Sequence, residues 1–384
     1  MNARTEVIDL ELDEGHELLR RSAREFLAKR FPLARLREVE KSELGYDPEL
    51  WREMAALDWA GLGLPEELGG AAAGFLAQYA LHLELGRALV PSPLLASSVI
   101  AAELLLAAGG DAERELLRRI ASGDAIVAPA LDEPEGGFGL DSIQLAARRV
   151  SGGWQLSGTK LFVPYAHVAE RVLVAARSAP GPDGISLFLL ERNSPGLVVE
   201  ALPNIADLPL FAVELDGVRA GERELVGKPD CAGAALEAAW ERAGILHCAE
   251  LVGAGERVLE LTLRYAQDRE QFGRPVGQYQ AVQYLCSDIA IDVHLASLLS
   301  RHAAWRIDAG LPASYQAAAA RAHAGVAAQH IVRQAHEVFA GAAFMLENDL
   351  QLFTRRAKHW ELALGDARYQ LERLAAQLES AGIG

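Results

Sequence analysis

The apolar pattern of this chain changes period twice along its 384 residues, and that switch restricts the fold more than any single motif. Up to about residue 120 the spacing is helical. Leu18, Leu19, Ala23, Phe26 and Leu27 mark one helix, and Asp47-Pro48 looks like the start of another carrying Leu50, Trp51 and Met54. Leu81 to Leu89 continues a third, which Pro91 and Pro93 end. After Gly123 the apolar runs shorten. Stretches 125–131, 155–156, 161–163, 172–176, 185–190 and 197–200 read as strands separated by glycine and proline turns. From about Gly233 long helical runs return, at 235–265, 281–309, 313–338 and 350–378, with Gly310 and Pro312 parting the second from the third. The expected fold class is therefore α+β in three parts: an all-α N-terminal domain (1–122), a middle antiparallel β-barrel domain (123–228) and a C-terminal four-helix bundle (229–384). A chain of this length can bury a core in each.

Chemistry concentrates between the first two C-terminal runs, in Arg264 to Asp288, RYAQDREQFGRPVGQYQAVQYLCSD. A helical pattern carrying Leu261, Tyr265 and Arg269 runs into Gln271-Phe272-Gly273. Gly273, Pro275 and Gly277 then interrupt it before a helix reopens near Gln280. Such a break gathers an arginine, a glutamine and a ring. Guanidinium grips pyrophosphate as a fork, and an exposed ring offers a stacking face. A solvated helix end followed by a turn is the plainer alternative.

The string resembles the signature of the acyl-CoA dehydrogenase flavoproteins. Tyr265, Ala266, Arg269, Gln271, Phe272, Gly273, Arg274, Pro275, Tyr279, Gln280, Ala281 and Val282 all match that family's pattern in order. The resemblance implies FAD held between a β-domain and a helical bundle, with part of each site coming from a neighbouring subunit of a tetramer. Arg269 would face the pyrophosphate, Phe272 the adenosine part, and Gln271 and Gln280 would be polar contacts. It also implies an acyl-CoA substrate and an electron-transfer flavoprotein as electron acceptor. In the family a glutamate removes the α-proton of the thioester while hydride leaves the β-carbon for flavin N5, with the carbonyl hydrogen-bonded.

Other family segments are altered. Leu64 to Gly70 resembles the N-terminal loop, and Glu133-Pro134 matches a flavin-facing segment in which Asp132 replaces a threonine. An ionised aspartate beside reduced flavin is unfavourable unless protonated or turned away. In Glu337 to Phe344 only Gly341 survives of a glycine-rich segment that approaches the neighbour's cofactor, and a carboxylate replaces its glutamine. The family's two base positions fall on Leu364, before Gly365, and on Ala243. Glu241 is two residues away and points roughly 200° from Ala243. His247 and Glu250 share the face of Ala243 and read as buried, paired polar residues, whereas Asp366, Arg368 and Glu372 read as solvated. Lys160 reads either as a phosphate ligand or as a solvated turn residue. Trp240, Trp305 and Trp360 read as bundle core.

These departures leave three expectations. The chain is a subunit whose base comes from a different, paired chain, as in the two-gene heterotetramers of bacterial steroid side-chain degradation. Alternatively it is self-sufficient with Glu241 as base, or it is a flavin-less structural subunit. Loss of the base also leaves room for the family's oxygen-dependent hydroxylation branch. A net charge of −16 argues against nucleic acid or an anionic membrane as partner, so an anionic ligand needs a local basic pocket. Three separated cysteines suit a reducing cytoplasm and have no metal-ligand spacing. The acidic N-terminus does not read as a signal peptide, and no uninterrupted apolar run reads as a membrane span.

Overall fold

The computed structural model describes residues 10–181 and 184–380. Residues 1–9, which hold the first half of the acidic N-terminal stretch, lie outside the described residues.

The N-terminal part consists of α1 (Glu14–Arg30), α2 (Leu33–Val39), α3 (Pro48–Ala56), α4 (Gly74–Ala88), α5 (Ala102–Ala108) and α6 (Asp111–Ala121). Asp13 caps α1 by accepting from the His16 N–H, and Asp47 caps α3 by accepting from Glu49 and Leu50, with Pro48 in the first turn. A π-helical segment, Leu94–Ala101, runs directly into α5. It begins one residue past Pro93, so the prolines separate two helices, as their geometry requires.

The middle part is one eight-stranded sheet: β1 (Val127–Ala130), β2 (Ala146–Val150), β3 (Gly153–Pro164), β4 (Arg171–Arg177), β5 (Ile185–Glu191), β6 (Leu197–Ala201), β7 (Leu210–Ala220) and β8 (Leu225–Val226). The strand order is β6-β7-β3-β2-β4-β5-β8, with β1 added beside β4. The expected antiparallel barrel is corrected on two counts. Among the described residues the edge strands β6 and β8 do not pair, so the sheet stays open. It is also mixed, because β1 and β4 run parallel and Ala146 of β2 meets Arg177 of β4 in parallel register. Two register shifts in β3 against β7 bend the long strand, and Phe162 sits at the second with φ +53°.

The C-terminal part begins with α7 (Gly233–Asp268), a two-stranded hairpin of β9 (Glu270–Gln271) and β10 (Arg274–Pro275), then α8 (Gln280–Asp308) and α9 (Ser314–Phe339). The expected fourth run is two helices, α10 (Leu350–Leu362) and α11 (Ala367–Ser380). Leu364 and Gly365 between them take φ +59° and +97°, which no helix accommodates. The first and third parts share one apolar core because α4 crosses α7 through glycines. A β-carbon on Gly86 would stand 1.9 Å from the Glu250 carbonyl oxygen, and one on Gly253 would stand 1.7 Å from that of Leu83. Among the described residues α8 alone is long and apolar enough to cross a membrane by length and composition. It packs on α7 and α9 yet leaves Tyr284, Ile291 and Leu295 exposed.

Candidate functional site

The long helix α7 carries a candidate site at each end. At its start, a cleft of about 530 Å³, open mouth included, separates the β-domain loop after β1 from the first turns of α7, α9 and α11. Asp132 and Gly139 come from the loop, Trp240 and Glu241 from α7, Arg321 from α9 and Tyr369 from α11. The loop is docked tightly. Phe138 packs against the Tyr369 ring at 5.2 Å, and a β-carbon on Gly139 would meet the Tyr369 hydroxyl at 2.6 Å.

The two positions that the resemblance assigns to the base, Ala243 and Leu364, are both apolar and join one buried cluster, and of the two Leu364 lines the cleft. Ala243 is fully buried in the cluster against which Leu364 packs. Glu241, turned away from Ala243 as helical geometry requires, lines the cleft beside Gly244. The turn that carries Leu364 is fastened by side chains. Arg321 Nη2 donates to the carbonyl oxygens of Ala363 and Gly365, and Gln370 Nε2 donates to that of Leu364 at 3.0 Å. Asp366, expected as solvated, caps α11 by accepting from the Tyr369 N–H, while Arg368 and Glu372 form an exposed pair as expected of a solvated face.

Lys160 is neither a phosphate ligand nor a solvated turn residue. It lies within β3, fully buried, and its ammonium donates to Glu133 Oε1 at 2.6 Å and to the Leu131 carbonyl oxygen at 3.0 Å. Burial pushes the Lys160 pKa down, and Glu133 opposes that shift. The Glu133 carboxylate also accepts the Gln144 and Leu145 N–H groups, so this pair ties the cleft loop to the sheet. Next to it, Asp132 lines the cleft with its carboxyl pKa raised by desolvation, which Lys160 partly offsets. Proximity of Glu133 adds to the rise.

Behind the cleft, Glu250 accepts from Trp360 Nε1 at 3.1 Å and meets His82 Nδ1 at 2.9 Å, so it is paired as expected but half-buried, not fully buried. His247 is buried but its Nδ1 has no partner, and its ring packs edge-on to His359 at 5.5 Å. Burial pushes both histidines down, His359 to about 3. Trp360 fills core as expected, whereas Trp240 is half-buried and lines the cleft.

At the other end of α7 the chain presents Arg269, Gln271 and Phe272 outward. Arg269 is the C-cap of α7, and its carbonyl accepts the Val276 N–H, which closes the hairpin onto the helix end. Phe272 and Gly273 form the tip with φ +55° and +80°. The Phe272 ring is 93% exposed. Tyr279 braces the hairpin, its hydroxyl donating to the Gln271 carbonyl and its ring lying 4.1 Å from the Arg274 guanidinium. Gln280 opens α8 alongside, also exposed. Tyr265 stacks on Phe339 at 4.2 Å, which brings the turn Ala340–Phe344 to the same end. Gly341 there is exposed, and an added β-carbon would meet nothing within 4 Å. Nothing in this chain's own packing requires a glycine at 341.

The two ends do not converge. α7 has 36 residues, so at about 1.5 Å per residue the cleft and the hairpin lie roughly 40 Å apart, farther than one dinucleotide reaches. Motif matching missed Arg321. Its signal was an arginine among Ala317, Ala318, Ala320, Ala322 and Ala324, a face that is buried throughout.

The acyl-CoA dehydrogenase N-terminal, middle and C-terminal domain families match residues 13–124, 128–218 and 234–379. Acyl-CoA dehydrogenase FadE27 of Mycobacterium tuberculosis is 32% identical over 353 residues, covering 89% of this chain and 91% of its own. A chain of the ChsE4-ChsE5 complex from Mycobacterium tuberculosis superposes with a TM-score of 0.89 at 30% identity, covering 97% of this chain and 99% of its own. The FAD complex of PigA superposes with a TM-score of 0.88 at 26% identity, covering 98% and 100%.

Proposed function

Given that this chain belongs to the acyl-CoA dehydrogenase family, flavin-dependent oxidoreductases whose members bind FAD, we propose that it acts in α,β-desaturation of an acyl-CoA thioester as a subunit whose base comes from a different, paired chain. The substrate belongs to lipid or steroid side-chain degradation, and the electrons pass to an electron-transfer flavoprotein. The assembly is a tetramer containing both kinds of chain, and the resemblance to a complex of two named chains supports that reading.

The observation that carries the proposal is that Ala243 and Leu364, the two positions to which the resemblance assigns the glutamate, are apolar and share one buried cluster. No carboxylate stands at either position to take an α-proton. The outward hairpin supports the same reading. Arg269 offers a fork of donors for a pyrophosphate, Gln271 and Gln280 add polar contacts, and Phe272 offers a stacking face, all turned away from this chain's own cleft. Exposed Gly341 leaves room for a phosphate to approach the backbone. These residues fit a cofactor seated on a neighbouring chain. When bound there, FAD supplies the acceptor for the β-hydride. This chain's part is to hold the cofactor's nucleotide end and keep water from it.

Glu241 supports a second reading, because it is the α7 carboxylate that lines the cleft. Flavin-to-protein ratio and light-scattering mass, measured with and without the paired chain, separate the readings. Low flavin alone, rising to about one per pair on co-expression, supports the partner role. A fully active yellow homotetramer overturns it, and loss of at least about a hundredfold in kcat for Glu241→Gln would then assign the base. A colourless complex leaves a structural subunit.

A further inference from the structure

The β-domain loop that walls the cleft is pinned at both ends and glycine-rich between them. At its start the Glu133 carboxylate accepts the Gln144 and Leu145 N–H groups and the Lys160 ammonium. At its end Arg177 donates from Nε to the Ile143 carbonyl oxygen at 2.7 Å and from Nη2 to that of Leu140 at 2.8 Å. The Ser142 hydroxyl donates to the Gly139 carbonyl oxygen at 2.7 Å. Residues 134–137, between these pins, are exposed. Gly136, Gly137 and Gly139 take φ of +74°, +100° and +81°, a region that costs glycine little. A β-carbon on Gly136 would meet nothing within 4 Å, and one on Gly137 would meet only Ser142 of the same loop. Glycines in open space supply backbone freedom, not a close approach.

The tip of the loop is different. Phe138 reaches the Tyr369 ring, with centroids 5.2 Å apart, and the two residues line the cleft from its opposite walls. Tyr369 is the fixed partner. Its N–H donates to Asp366 Oδ1 at 2.9 Å, and the Arg373 guanidinium lies 5.8 Å from its ring centroid. Its ring stands between two glycines. A β-carbon on Gly139 would meet the hydroxyl at 2.6 Å, and one on Gly365 would meet Cδ1 at 2.5 Å. Helix α11 therefore presents a held ring, beside the turn that carries Leu364, to a glycine-hinged segment. Because the Phe138–Tyr369 contact bridges the cleft, it obstructs a ligand that must pass between the two walls.

We propose that residues 134–139 are a flap that gates the cleft, swinging on Gly136 and Gly137, with the Phe138 ring against Tyr369 as its latch. The proposal rests on the reading that the cleft takes an acyl thioester but not on which chain holds the base, because it concerns entry and not turnover. Only molecules whose flap is open admit ligand, so the observed association rate is scaled by the open fraction. A single aromatic contact is weak enough to break readily and strong enough to shift that fraction several-fold.

The test is surface plasmon resonance of hexanoyl-CoA on the immobilised full chain, with its paired chain where the two co-purify. Phe138→Ala should raise the association rate constant about three- to tenfold, as loss of one aromatic contact allows. Tyr369→Ala removes the latch from the other side and should raise it likewise, whereas Phe138→Tyr keeps a ring and should leave it unaltered. A fixed wall behaves differently, since its loss speeds dissociation and leaves association as it was. An unaltered association rate in Phe138→Ala, with binding intact, overturns the flap alone. Binding of hexanoyl-CoA by neither the unaltered protein nor the variants overturns the acyl-thioester reading together with it.

Discussion

Arg269, Gln271 and Phe272 are legible in sequence because they are contiguous, and a hairpin tip sets their exposure locally. Lys160 and Arg321 are not, since their surroundings come from far along the chain. The Lys160 partner is Glu133, and Arg321 reaches the carbonyls of Ala363 and Gly365. Their burial is a product of the fold, and no spacing announces it. Two predictions belong at this scale. Arg269→Ala removes an exposed side chain, so stability should change by no more than about 0.5 kcal/mol. The flavin-to-protein absorbance ratio of the purified assembly should nevertheless fall, and an unchanged ratio would remove Arg269 from the cofactor site. The second concerns His247 and His359, both held well below the usual histidine value of 6.5, His359 at about 3. The unfolded chain binds more protons than the folded one between those values, so stability is full above pH 6.5 and is lost as pH falls toward 3. Each ring contributes a slope of at most about 1.4 kcal/mol per pH unit. His359→Asn should flatten urea midpoints measured from pH 7 to 4, and an unaltered slope would exclude the mechanism.

Among the elements, the helices followed from period, but three strands of the sheet escaped: β8, only two residues long, and β7 and β2 for separable reasons. In β7 the Asp216-Gly217 pair reads as a turn. It lies inside the strand, where Gly217 takes φ +64°. In β2, the consecutive Arg148 and Arg149 are both exposed, so both faces of the strand reach solvent there and no alternation shows. The broken fourth run shows the opposite failure. Apolar periodicity persists through Leu364, and only positive φ at two successive residues separates α10 from α11. The α4–α7 crossing makes its own prediction. Gly253→Ala should destabilise the chain by about 1–3 kcal/mol, because the methyl group must push the Leu83 carbonyl away. A urea midpoint within error of the unaltered protein would mean that the helices separate at little cost.

For the whole molecule, the three-part order of helices, strands and helices was legible because each part buries its own period of apolar residues. The open edges of the sheet were not, since closure depends on strand pairing over the entire domain. Tyr284, Ile291 and Leu295 are exposed along α8, as are Phe344, Met345 and Leu346 in and after the turn at the hairpin end, and apolar side chains lined up on one helix face suit an interface. Ile291→Glu should therefore lower the light-scattering mass of the assembly, and an unchanged mass would free that face from any interface. The length of α7 has a further thermodynamic consequence. If the nucleotide end of a cofactor rests on one chain and its ring on another, no single chain owns the binding constant. Retention of colour then obeys mass action between chains, so dilution should bleach the protein at constant free flavin, and adding the paired chain should restore the colour.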